Sequence, residues 1–474
     1  MVENKGKKQF TPVAGDRRMA LLSDGMRGTE LMLLYSAIWA LAWPAFLAQG
    51  IRSLVMFVIR VIVSHMGEKA YNSVNVGLMI FMVILTVIAA VAVGTTAMVA
   101  QCWGGGDRAR AGRVLQQSLL WGVLLSCVIA IVGMPLSRVL FHLLGADAET
   151  IRLGANFMVW LFAAVPFMTP GFFLAAGLRA AGDTRTPMIG SLIMGILAVI
   201  LAYGLTLGKL GLPALGTVGA ALAIGGSFFS FTLFLAILFA LNTTILKLPL
   251  RGWRLDLEIG FTMFKIGIPS ALEWILIQIG ILVYVFIIYR YGPHPAAGYF
   301  TGMAILVFAQ ASGLGFQTAS ATLVGQSVGA QDFGRAESAF RHTALMSVAF
   351  MIGIGLIVYL VATPSFLSLL FGELTDESIG YARTFIVLLC FVMPFMGVSF
   401  SVAGGLRGAG DTIPPLVAST IGVYGGRIMA AFGLYALFRP PVELIWCSMF
   451  PDLILRILVM AVRLKSGKWK RAKV

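Results

Sequence analysis

One carboxylate stands out against a long apolar background. Glu273 lies in the stretch IPSALEWILIQ, four residues after Pro269, and reads as the only acidic residue well inside an apolar span. A charge at that depth is costly unless it meets a wet cavity or a partner, so it reads as functional. A poorly solvated carboxylate can bind and release a proton or another cation. Gln278, five residues on, could add an amide oxygen, and Ile277 lies one turn after Glu273 on nearly the same helix face. Deep cations accompany it. Arg52 and Arg60 are eight residues apart and share a face, Arg427 is in the middle of a later span, and Arg456 follows Asp452 by four residues. Two readings of Arg52 and Arg427 stand side by side: they line the substrate cavity and meet an anionic group, or they neutralise Glu273.

The elements that hold these residues are membrane spans. The chain has 474 residues, 59% hydrophobic and 12% charged, with a mean hydropathy of +0.92; soluble domains carry about 25% charged residues. Apolar runs long enough to cross a bilayer recur throughout. Twelve are expected, at 33–63, 72–101, 114–136, 150–178, 187–208, 216–241, 259–290, 296–326, 339–362, 378–406, 414–438 and 443–463; they are numbered as spans 1 to 12 below. With both termini cytoplasmic, the inside segments collect most of the basic residues, among them Lys5, Arg17, Arg108, Arg110, Arg113, Arg185, Arg251, Arg254 and the tail from Arg463 to Lys473. The outside loops keep only Lys69, Arg138, Arg152, Lys209 and Arg439. The expected division is an N-terminal segment 1–30, an N-lobe 31–241, a linker 242–258, a C-lobe 259–463 and a basic tail 464–474.

The chain also repeats itself. GLRAAGDTRTP, from Gly177 to Pro187, returns as GLRGAGDTIPP from Gly405 to Pro415. Pro44, Gly67, Gln101, Gly104, Asp107 and Arg110 match Pro269, Gly292, Gln326, Gly329, Asp332 and Arg335 at an offset of 225, and later matches run at 228. An even number of spans per copy gives both copies the same orientation, so the fold class expected is an all-α polytopic protein of two parallel six-helix lobes. The repeated phrase reads as a helix end and tight turn, with Arg179 and Arg407 closing one span and Asp183 or Thr184 capping the next. An Arg179 to Asp183 bridge, with Asp411 as its counterpart beside Arg407, is the gating alternative, and Pro44 and Pro269 are the expected helix-bending points.

Taken together, the duplicated L-R-x-A-G-D-T-x-x-P phrase, Pro44 and Pro269, the Gln-x-x-Gly-x-x-Asp-x-x-Arg phrases after spans 2 and 8, and GLPALGTVGA entering span 6 make the chain resemble the multidrug and toxic compound extrusion (MATE) transporters of the multidrug, oligosaccharidyl-lipid and polysaccharide exporter group. The resemblance covers nearly the whole chain. It implies a V-shaped pair of bundles that exports amphipathic, often cationic compounds in exchange for H⁺ or Na⁺, located in a bacterial cytoplasmic membrane as a monomer among lipid. Acidic positions common in the family read Ile59, Ala198, Ala202 and Met396 here, which leaves Glu273 as the coupling candidate and Met396 as a cavity position. H⁺ is favoured over Na⁺, because Na⁺ wants several oxygen ligands.

Other classes fit less well. The net charge of +15 sits in loops and tails beside spans, which suits anionic lipid better than nucleic acid. The stretch from Gly204 to Lys209 has the wrong spacing for a nucleotide-binding loop, and no cofactor or metal is expected from four scattered His and four isolated Cys residues. An enzyme would need a polar constellation at one membrane face, which is missing. The remaining alternative is a flippase or exporter of an anionic or lipid-linked conjugate, which would suit the deep arginines.

Overall fold

The computed structural model describes residues 28–143, 147–249, 252–370 and 375–472. Most of the expected N-terminal segment 1–30, and Arg251 of the linker, lie outside the described residues. Among the described residues, twelve helices are long and apolar enough to cross a membrane: Glu30–Ser64, Lys69–Gly104, Arg108–His142, Ala148–Ala181, Arg185–Thr206, Gly216–Ala240, Leu257–Tyr289, Pro293–Gly329, Phe333–Val361, Asp376–Gly408, Ile413–Phe438 and Val442–Lys465. Each corresponds to one expected span. Many run past the expected ends. Span 2 has 36 residues, about 54 Å at 1.5 Å per residue, against a hydrocarbon core of about 30 Å. The polar ends of such helices project into the interface, where hydropathy alone does not see them.

Local chemistry sets the breaks. Gly67 and Gly292 occupy equivalent places before spans 2 and 8 and take φ of 97° and 101°, a conformation open mainly to glycine. Asp256 caps span 7 by accepting from the N–H groups of Glu258 and Ile259 at 3.0 and 3.2 Å. After span 4 the chain turns at Gly182, whose N–H donates to the Arg179 carbonyl. Asp183 then caps span 5, accepting from the Thr186 N–H at 3.0 Å. Pro44 and Pro269 sit inside spans 1 and 7, where each removes one backbone hydrogen bond from its helix. Two further irregularities have no sequence counterpart in the reading above: π-helical stretches at Ala202–Thr206 in span 5 and Ile421–Ile428 in span 11.

Two large cores form. One joins Phe81, Phe157 and Phe173 of the first half with Met263 and Ile266 at the start of span 7; the other lies within the second half between Tyr284 and Leu453, including Phe385 and Trp446. A third ties the start of span 1, at Leu34, Ile38 and Leu41, to Phe316, Leu406 and Trp469 of the second half.

The seam between halves is reciprocal. A Cβ on Gly104 would strike the backbone of Gln326, and a Cβ on Gly329 would strike that of Gln101. These are the same pair of positions exchanged between repeats, so a local two-fold passes between spans 2 and 8 and runs along them. Gly94 also packs closely on the backbone of Met263, and Gly267 on that of Ala90 and Val91. All four contacts lie toward the end that carries the turns 105–107, 182–184 and 330–332. The halves are therefore zipped together at that end by glycine. The tail folds back onto the same end: Trp469 is buried against Phe333 and Phe340, and Lys470 pairs with Glu337 at 2.6 Å.

Candidate functional site

Glu273 is buried in span 7, and it is not alone there. Arg407, from the end of span 10, donates from Nη2 to its Oε2 at 2.7 Å, and Ser419 of span 11 donates from Oγ to Oε1 at 2.9 Å. Three spans meet on one carboxylate. Both Arg407 and Glu273 are under a tenth exposed, where the attraction is weakly screened. The Arg407 Nε and the Ser270 Oγ, one turn before Glu273, are buried without a hydrogen-bond partner among the described residues. The lone carboxylate expected from sequence is thus an ion pair held by a third group. Neither Arg52 nor Arg427 is its partner.

Arg427 goes elsewhere. Its Nη2 lies 2.7 Å from Oδ2 of Asp452, while Nε of Arg456 reaches Oδ1 of the same carboxylate at 2.6 Å. Asp452 is fully buried, so Glu273 is not the only deep acid, as the sequence reading had it. The π-helical stretch of span 11 brings Gly422 and Gly426 directly onto Asp452, where a side chain would not fit. The Arg427 guanidinium also lies over the Tyr284 ring at 5.6 Å. Arg427 is therefore a structural cation inside the C-terminal half in this conformation.

The remaining expected residues separate. Gln278 is exposed and makes no hydrogen bond to Glu273, because five residues turn it well away from that face. Ile277 is half-buried and Met396 buried. Arg179 and Asp183 form no bridge: Asp183 is taken by Thr186, and Arg179 is half-buried with its side chain in no ion pair among the described residues. Arg407 does not pair with Asp411 either. It is drawn to Glu273, and Asp411 accepts from Arg463 Nε at 2.6 Å. Arg52 is half-buried and donates to the Gln49 amide oxygen at 2.9 Å, while Arg60 is exposed, as a snorkelling residue would be.

One contributor escaped the sequence reading: Ser419 carries no signal of its own, yet it repeats Ser191 at the offset of 228. Asp452 pairs with Arg456 as their spacing of four residues suggests, whereas its bond to Arg427 has no signal in the sequence. Among the described residues no three His, Cys, Asp or Glu side chains gather as they would around a metal ion. The arrangement offers one buried carboxylate through which side chains of three spans are joined.

Comparison with known proteins places this geometry in context. The MatE family model matches residues 44–204 and again 269–432, once in each half. The probable multidrug resistance protein NorM of Thermotoga maritima is 26% identical over 465 residues, covering 96% of this chain and 98% of that protein. The multidrug export protein MepA of Staphylococcus aureus is 27% identical over 378 residues, 78% of this chain and 81% of that protein. Among solved structures, a transporter of the MOP superfamily from Pyrococcus furiosus superposes with a TM-score of 0.85 at 20% identity, over 94% of this chain and all of its own.

Proposed function

The chain belongs to the MatE family, and from that premise we propose that it is an efflux transporter that moves amphipathic small molecules out of the cell by antiport with H⁺, with Glu273 as the group that takes and yields the proton. Relatives that match over 96% and 78% of this chain are described as a multidrug resistance protein and a multidrug export protein. The observation that carries the reading is the buried Arg407–Glu273 pair with Ser419, which joins spans 7, 10 and 11 through one titratable group.

The chemistry favours a proton over Na⁺. Protonating Glu273 cancels its charge and releases the Arg407 guanidinium in one event. A sodium ion would have to share the same oxygens with a guanidinium, against direct repulsion. Releasing Arg407 frees the end of span 10 from span 7, beside the flexible point at Pro269. The glycine seam between spans 2 and 8 is then the closed gate of an alternating-access cycle, and the basic end it seals faces the cytoplasm, with both termini on that side. The membrane is the cytoplasmic membrane of a bacterium, by analogy with the relatives. A cationic substrate, the charge expected from the resemblance, would find both deep carboxylates already engaged by arginines.

The test uses purified protein in liposomes loaded with ethidium, norfloxacin or 2-naphthoate, with H⁺ and Na⁺ gradients imposed separately. Gradient-driven efflux of at least one probe, under the H⁺ gradient alone, is expected. Efflux driven only by Na⁺ would overturn the coupling, and no driven efflux of any probe would overturn the exporter reading.

A further inference from the structure

We infer that the N-terminal half contains a receptor for an oxyanion, the carboxylate of an amphipathic organic anion, built from Arg179, Ser191 and Arg52 around Ala48. The inference deepens the exporter reading, on which it rests, by naming the substrate class.

The repeat carries the argument. In the C-terminal half, Glu273, Arg407 and Ser419 form one hydrogen-bonded group. Transferred through the offsets of 225 and 228, these positions become Ala48, Arg179 and Ser191. The N-terminal half has kept the guanidinium and the hydroxyl and has no carboxylate. It has also gained a cation: Arg52, one turn after Ala48, stands where the C-terminal half has Ile277.

Nothing described in the protein supplies the missing charge. Arg52 donates only to the neutral Gln49 amide, and neither guanidinium makes an ion pair with a described residue. Span 5 packs on the same stretch of span 1, since a Cβ on Gly195, one turn after Ser191, would strike Ile51, the neighbour of Arg52. Ser191 donates to the Pro187 carbonyl at 2.9 Å. Two half-buried guanidiniums of like charge in an apolar bundle raise the energy of the fold, and an oxyanion between them would lower it. Guanidinium groups present paired N–H donors matched to a carboxylate, and such charge-assisted bonds are the stronger kind. The receptor also lies at the seam, because the Arg179 and Ala180 carbonyls accept from Thr322 and Gln326 of span 8 at 2.9 and 2.8 Å. An anion drawing on Arg179 is thereby felt by the opposite half.

The experiment compares two probes of one shape and opposite charge, 2-naphthoate and 2-naphthylmethylammonium, by calorimetric titration of the full-length protein in detergent. Wild type is expected to bind the naphthoate at least about tenfold more tightly. Arg52→Gln and Arg179→Gln should each weaken naphthoate by about tenfold or more and leave the ammonium unaffected. Ala48→Glu rebuilds the trio of the other half, which the fold already accommodates there, and should remove naphthoate binding while keeping the thermal transition. Equal affinity for the two probes in wild type, or wild-type naphthoate affinity in both Arg52→Gln and Ala48→Glu, overturns the receptor. Ethidium efflux without naphthoate binding also overturns the receptor and spares the exporter reading; naphthoate binding without efflux of any probe spares the receptor and removes the exporter.

Discussion

Arg407 and Glu273, 134 residues apart in sequence, meet at 2.7 Å inside the C-terminal half. Their repeat mates are Arg179 and Ala48, so the same scaffold carries a closed ion pair on one side and an unmatched cation on the other. On the proposed antiport this pair is where a proton would act, since neutralising Glu273 would alter a contact shared by three spans.

Removing the cation alone should be costly. Arg407→Leu leaves Glu273 buried without its counter-charge, and a loss of about 3–5 kcal/mol is expected. Adding Glu273→Leu in the same chain should recover most of it, because two apolar side chains replace two charges. Thermal unfolding of the four proteins in one detergent measures both effects; a double variant as unstable as Arg407→Leu would show that the pair is not what the single change disturbs.

Asp452 makes a parallel prediction without a coupling role. Asp452→Asn keeps the shape but leaves Arg427 and Arg456 facing each other, so stability should fall by about 3–5 kcal/mol. In the folded fraction, the response of transport to an imposed pH gradient should stay that of wild type. A shifted pH response measured in proteoliposomes would place Asp452 in the coupling path.

The glycine seam predicts a symmetric effect. Gly104→Ala and Gly329→Ala each put a Cβ into the backbone of the opposite span, so each should open the zipped end. Spin labels placed at the turns after spans 2 and 8 would report the separation. Both variants should lengthen it, and by similar amounts. A change in only one of them would argue against the reciprocal contact.

The spans were legible because a run of about 20 apolar residues has few other homes, and the repeat was legible because turns need particular residues, such as Gly67 and Gly292 with φ near 100°. Glu273 was visible as a charge in an apolar run. Its partner was not: Arg407 belongs to a phrase that looks like a turn, and only packing draws its side chain inward to span 7. The sequence offers Gln278 as an added oxygen ligand and Arg427 as a neutralising cation for Glu273, yet the first turns away and the second finds Asp452 through a π-helical stretch that sequence periodicity does not announce. The repeat extends to Ser419 and Ser191, which match at 228, but only the structure shows what Ser419 does.

The central claim, that Glu273 carries the coupling proton, is tested most directly by substrate efflux from proteoliposomes after a sudden imposed pH gradient. Glu273→Gln keeps the shape of the side chain and cannot ionise. Wild type should accelerate when the gradient is applied. The variant should show driven efflux at least about tenfold slower, with no response to the gradient, while still binding the same probe. Wild-type rates in Glu273→Gln, with an unchanged response to pH, would contradict the account and place the coupling on another group.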